Sequence, residues 1–167
     1  MFDSAGETSS PPAPAGVPRA EAPRPDRRPQ ARAGAGEPVD GLTIAVSQPQ
    51  ETTVVVRALG ELDLLSAPRC ARILAGAVRT VAPGSPASGT DRVRGRVVCD
   101  VDGVDFVAAS GLGMLVEASD DAVAHDVDLV VVASNRPVLR PLSVTGLDRH
   151  LTLVARLDDA VQQTFTC

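Results

Sequence analysis

From Leu42 onward, β-branched apolar runs alternate with stretches whose apolar residues recur at helical spacing. That alternation leaves few architectures open. LTIAVSQ, residues 42–48, alternates in polarity and predicts a strand. TTVVVRALGEL, Thr52 to Leu62, predicts a second, with QPQE as the turn between them. In LDLLSAPRCARILAGAVRTV, Ser66 is an N-cap candidate and Pro68 falls in a first turn. There Cys70, Ile73, Leu74, Ala77, Val78 and Val81 form one apolar stripe, with Arg69, Arg72 and Arg79 outside it. APGSPASGTDRVRG, Ala82 to Gly95, reads as a loop, long for a helix-to-strand connection. RVVCDVDGV predicts a strand ending at an Asp102-Gly103 turn. SGLGMLVEASDDAVAH predicts a helix, and VDLVVVAS a strand buried on both faces. NRPVLRPLSVTGL predicts a short helix capped by Asn135 or Ser134 and stopped by Gly146, bent or broken at Pro141. HLTLVARL predicts a last strand, and DDAVQQTF a terminal helix with acids in its first turn.

The order β-β-α-β-α-β-α-β-α belongs to the α/β class. It predicts a mixed central β-sheet of about five strands packed with about four helices, with right-handed crossovers and at least one covered face. Residues 1–40 are different material. They hold eight of the fourteen prolines, are rich in Ala and Arg, and offer almost no branched apolar residues. A disordered tail is expected there, and a single domain over residues 41–167.

Composition narrows the function. The formal charge is −5 and lysine is absent, which argues against nucleic acid as a direct partner. No apolar run approaches the roughly 20 residues of a membrane span, and no charged-then-apolar leader opens the chain. Cys70, Cys99 and Cys167 match neither a disulfide framework nor zinc spacing. Reduced thiols in a cytoplasmic protein with no metal and no cofactor are the expectation.

In DFVAASGLGML, Asp105 to Leu115, a lone hydroxyl stands between a strand segment and a helical one. Leu112, Leu115, Val116, Ser119 and Val123 fall on one stripe, expected to face the sheet, with Gly113, Glu117, Asp120 and Ala124 opposite. Ser110 is then an N-cap candidate on an exposed helix end. Gly113, Met114 and Glu117 are expected to form a surface patch beside it. The glycines leave room for another molecule to approach. Local features alone fit a plain helix cap. Ala-Ala-Ser-Gly-Leu is not a nucleophile elbow, His125 and His150 read as solvated side chains, and Gly111-Leu112-Gly113 lacks the lysine and spacing of a P-loop.

GELDLLSAP (Gly60 to Pro68), VVCDVDGVDFVAASGLGML (Val97 to Leu115) and PVLRPLSVTGLD resemble segments of the STAS domain. More narrowly they resemble bacterial anti-sigma factor antagonists, also called anti-anti-sigma factors. The resemblance spans about residues 41–163 and implies the STAS fold. It also implies a switch. The unmodified antagonist binds a serine-kinase anti-sigma factor and frees the sigma factor; phosphorylation of a serine at the start of the second helix breaks the complex; a serine phosphatase resets it. Ser110 aligns with that acceptor. Ala108 and Ala109 stand where the family typically has Asp and Ser. Asp63 and Asp100 match family acids, and Asp63, Ser66, Asp100, Gly111, Gly113, Met114 and Glu117 are the expected partner-binding residues. In that reading the chain is a substrate and not an enzyme. A STAS scaffold that works without phosphorylation is the alternative.

Overall fold

The computed structural model describes residues 40–83 and 94–162. The Pro-rich segment up to residue 39, most of the Ala82–Gly95 loop, the last residues of the expected terminal helix and Cys167 lie outside the described residues. Strands β1 (Leu42–Gln50) and β2 (Thr53–Leu62) form an antiparallel hairpin. Helix α1 (Ala67–Val81), β3 (Gly95–Val107), α2 (Ala109–Ala124), β4 (Val127–Val132), α3 (Arg136–Thr145), a 3-10 turn at Leu147–Arg149, β5 (Thr152–Val154) and α4 (Leu157–Gln162) follow. The five strands lie in the order β1-β2-β3-β4-β5, and every pair after the hairpin is parallel. The mixed five-stranded α/β sheet expected from the sequence is therefore the observed one.

Two cores follow from strand alternation. Val54, Val56 and Ala58 of β2 and Val97, Cys99 and Val101 of β3 join Cys70, Leu74 and Val78 of α1, Leu112 and Leu115 of α2, and Val138 and Leu142 of α3. Each such fully buried Val or Leu side chain contributes about 1.5–3 kcal/mol. On the other face Val55, Val98, Val130 and Val132 meet Ala160 of α4, with Leu157 and Val161 alongside. That helix covers only part of its face, and Leu59 and Phe106 remain exposed. Burial pushes the Cys70 thiol up to about 11 and the Cys99 thiol well above its ordinary value; both are free.

Several local expectations are corrected. Asp102-Gly103 makes no turn: β3 runs on to Val107. Two bulges explain how. Arg57 pairs with Asp100 but Leu59 with Gly103, and Gly60 pairs with Val104 but Glu61 with Phe106, so β3 carries an extra residue at each place. The inward set thereby steps from Val97, Cys99 and Val101 to Val104 and Val107. The Asp102 carboxylate accepts the Ser134 N–H at 2.8 Å, and Asn135 Nδ2 donates to the carbonyls of Asp102 and Val104 at 3.0 and 2.7 Å. Asn135 thus ties α3 to the bulge and makes no side-chain cap bond. Helix α3 is continuous through Pro141. The bond Pro141 cannot make is the one to the carbonyl of Pro137, an exposed residue in the first turn of the helix. The last strand is three residues long, because the 3-10 turn occupies the chain just before it.

Candidate functional site

Leu62 and Val107 are paired neighbours, so β2 and β3 end at one corner of the sheet. From that corner β2 turns into α1 and β3 into α2. Ala108 N–H donates to the Leu62 carbonyl at 2.9 Å, and Leu112 N–H donates to Ala108 O at 3.1 Å, closing the first turn of α2. Gly111 makes this junction possible. A Cβ there would lie 2.6 Å from Leu62 O and 2.8 Å from Leu62 Cγ, while at Gly113 nothing lies within 4 Å. The two glycines, two positions apart, should therefore respond oppositely to the same change. Gly113→Ala should stabilise the fold by about 0.5–1 kcal/mol through helix propensity. Gly111→Ala should destabilise it by about 1–3 kcal/mol through overpacking, in spite of the same propensity gain. Urea midpoints of the two variants check this; equal gains would mean that the junction is loose.

The turn from β2 into α1 is closed by two side chains. Asp63 Oδ1 accepts the N–H groups of Leu65 at 2.9 Å and Ser66 at 3.0 Å. Ser66 Oγ accepts Asp63 N–H at 2.9 Å and lies 2.8 Å from Glu61 O and 3.1 Å from Asp63 Oδ1, sharing its proton between them. The Ser66 backbone N–H, helped by the Ser66 hydroxyl and the Leu65 N–H, outweighs burial and holds the Asp63 carboxyl below its usual range. Asp63 is thus anionic at neutral pH. Ser66 occupies the N-cap position of α1 but has helical angles and no cap bond. It is fully buried, so its part is to shape the turn from inside and not to touch a partner. The turn carries Leu64 and Leu65 outward at 74% and 69% exposure.

Ser110 is not the cap expected from the sequence. Helix α2 begins at Ala109, and the cap position is Ala108, in extended conformation with no side-chain acceptor. Alanine favours the helix, which starts one residue early and leaves Ser110 in the first turn. The residue is half-buried, but Oγ is occluded and unpartnered, so the hydroxyl is not presented to solvent as expected. Among the described residues no side chain caps the first N–H groups of α2.

The other expected residues divide. Gly113 and Glu117 are exposed on α2. Met114 is 4% exposed and belongs to the core, and Gly111 is buried against Leu62. The surface patch therefore lacks Met114. Helix α2 is turned so that Gly111, Leu115, Ala118 and Ala122 are buried, and Val123, expected to face the sheet, points out at 76% exposure. Asp100 is not near Ser110. It sits mid-strand, paired across from Arg57, 3% exposed; Arg57 Nε donates to it at 2.8 Å and Asp102 N–H at 3.2 Å. A carboxylate so enclosed has a structural role here. Sequence reasoning missed Leu64 and Leu65; their signal was two leucines between an aspartate and a helix start.

Neither histidine attends Ser110. His125 closes the far end of the 16-residue α2, about 22 Å away. His150 Nε2 lies 3.3 Å from Asp120, ten positions along the same helix. Near that far end a cleft of about 340 Å³ is lined by Arg94, Asp126, Asp128 and His150, and Arg94 is bonded to both aspartates. Among the described residues no cluster of three or more His, Cys, Asp or Glu could hold a metal, and no helix is long and apolar enough to cross a membrane.

The STAS domain model aligns with residues 44–160. The chain belongs to the STAS domain family. This STAS domain is 28% identical over 122 residues to the anti-sigma-F factor antagonist RsfB of Mycobacterium tuberculosis, covering 73% of this chain and 88% of that protein. It is similar to the crystal structure of an anti-sigma factor antagonist from Mycobacterium paratuberculosis, with a TM-score of 0.57 at 28% identity over 72% of this chain and 91% of the other. It shares its fold with SpoIIAA, an anti-sigma factor antagonist, in its unphosphorylated form, with a TM-score of 0.51 at 15% identity over 71% and 93% of the two chains.

Proposed function

We propose that this STAS domain is an anti-sigma factor antagonist controlled by phosphorylation of Ser110. Unmodified, it binds a serine-kinase anti-sigma factor and frees the sigma factor; modified, it lets go; a serine phosphatase returns it. One observation carries the reading: a single hydroxyl stands in the first turn of α2, at the corner where β2 and β3 end, beside N–H groups that no side chain caps. Likeness to two named antagonists at 28% identity supports it.

The chemistry suits the place. Oγ attacks the γ-phosphorus of ATP, the bond to ADP breaks, and the serine proton passes to a base of the kinase, so catalysis belongs to the partner. Because Oγ is occluded, transfer requires rotation about the Cα–Cβ bond into an outward staggered well. The new dianion, about −1.5 to −2 in charge, then lies at the positive end of α2 near free N–H groups. The domain keeps its fold. The surface facing the kinase changes, since a hydrated dianion must be stripped of water or driven against the partner's own nucleotide phosphates. Such juxtapositions typically cost several kcal/mol.

The test is to incubate the protein with the serine-kinase anti-sigma factors of its source and ATP, and to map phosphate by mass spectrometry. Phosphate on Ser110 is expected, with binding kept in Ser110→Ala and weakened about 100-fold or more in Ser110→Asp. A second reading, a scaffold that binds without modification, is favoured by the occluded oxygen and by Ala108 in the cap position. No phosphate, together with equal binding by both variants, would establish that reading instead.

A further inference from the structure

We infer that Leu64 and Leu65 are the apolar anchor with which the domain docks on its anti-sigma factor, entering an apolar pocket rimmed by basic side chains. This rests on the function proposed above and names the contact that delivers it. The two leucines are among the most exposed large apolar residues described, at 74% and 69%. They are adjacent, and a turn of several hydrogen bonds from Asp63 and Ser66 holds them out. A pre-ordered apolar pair loses little freedom on binding, which is where much of the cost of association lies. The chain has no Trp or Tyr, and the exposed aromatic near this corner is Phe106, paired with Glu61.

Position and charge specify the occupant. Leu62, just before the turn, accepts the Ala108 N–H and packs under Gly111, so the leucines and the first turn of α2 share one corner. A protein that reaches Ser110 meets them. Glu61 and Asp105 are exposed on the same edge, and anionic Asp63 closes the turn. That acidic border calls for basic residues around the partner's pocket.

The experiment measures affinity for each purified serine-kinase anti-sigma factor of the source organism. Leu64→Ser/Leu65→Ser is expected to weaken binding roughly 30-fold or more, as hot-spot removal does. Its melting temperature should stay near wild type, because both side chains already face water. Val123→Ser removes an equally exposed apolar side chain from the far half of α2 and is expected to bind as wild type. Binding by the double variant within about threefold of wild type, while Ser110→Asp still dissociates, overturns the anchor and leaves the proposed function standing. An equal loss from Val123→Ser also overturns it. Failure of the wild-type protein to bind any of these kinases overturns both readings together.

Discussion

Gly60→Ala is expected to remove about 3–5 kcal/mol of stability, a large part of the 5–15 kcal/mol typical of a domain. Gly60 has φ +107, a conformation that L side chains rarely adopt. The added methyl would lie 2.2 Å from the Gly41 carbonyl oxygen, closer than any real contact. That oxygen accepts the Glu61 N–H at 3.1 Å, the bond that joins the start of β1 to the end of β2. Alanine must therefore both take a strained backbone and push β1 off the hairpin, next to the corner that carries the candidate site. Urea unfolding should show a lower midpoint with an unchanged slope. A loss below about 1 kcal/mol would mean that this end of the hairpin relaxes freely.

Arg57→Ala is expected to cost about 2–3 kcal/mol. Removing one partner strands the Asp100 carboxylate, whose side chain is 5% exposed, with the Asp102 N–H as its remaining donor among the described residues. Water at the Arg57 side chain, which is 39% exposed, keeps the loss below that of a fully buried pair. Removing the charge as well should restore part of the loss. Arg57→Ala/Asp100→Asn is expected to be more stable than Arg57→Ala alone, and a double-mutant cycle reads the difference. If the single variant is as stable as wild type, the pair contributes nothing. Asp100 would then need another explanation for its burial.

The fold was legible where hydropathy carries the contact. Branched residues of β2 and β4, and Cys70, Leu74, Ala77, Val78 and Val81 of the α1 stripe, became core, with Ile73 half-buried against it. It was less legible where small residues do the packing. Helix α2 buries Leu112 and Leu115 and exposes Gly113, Glu117, Asp120 and Ala124 as expected, but small Gly111, Ala118 and Ala122 complete the buried face, and Val123, expected on it, points out. Asp102-Gly103 has the composition of a turn, and only the pairing with β2 reveals a bulge. Of the candidate site, Ser110 was legible through motif resemblance, and its inward oxygen was not, since one residue of helix extension decides it. Asp63 and Asp100 were both singled out by resemblance; Asp63 stands at the corner, whereas Asp100 lies mid-strand beside Arg57. Leu64 and Leu65 precede the helical stripe, and nothing in their spacing distinguishes an outward pair from a buried one.

Strands that lie side by side in the order of their synthesis have a consequence for how the molecule comes into being. Every newly emerged segment can be laid against its immediate predecessor, and nothing already seated has to part to admit it. The growing rim always offers β3 or β4 as a template until the three-residue β5 finishes the row. Lengthening the crossover between α1 and β3 would add only about 0.6 kcal/mol of closure entropy per doubling, so that connection is free to vary in evolution without endangering the rest.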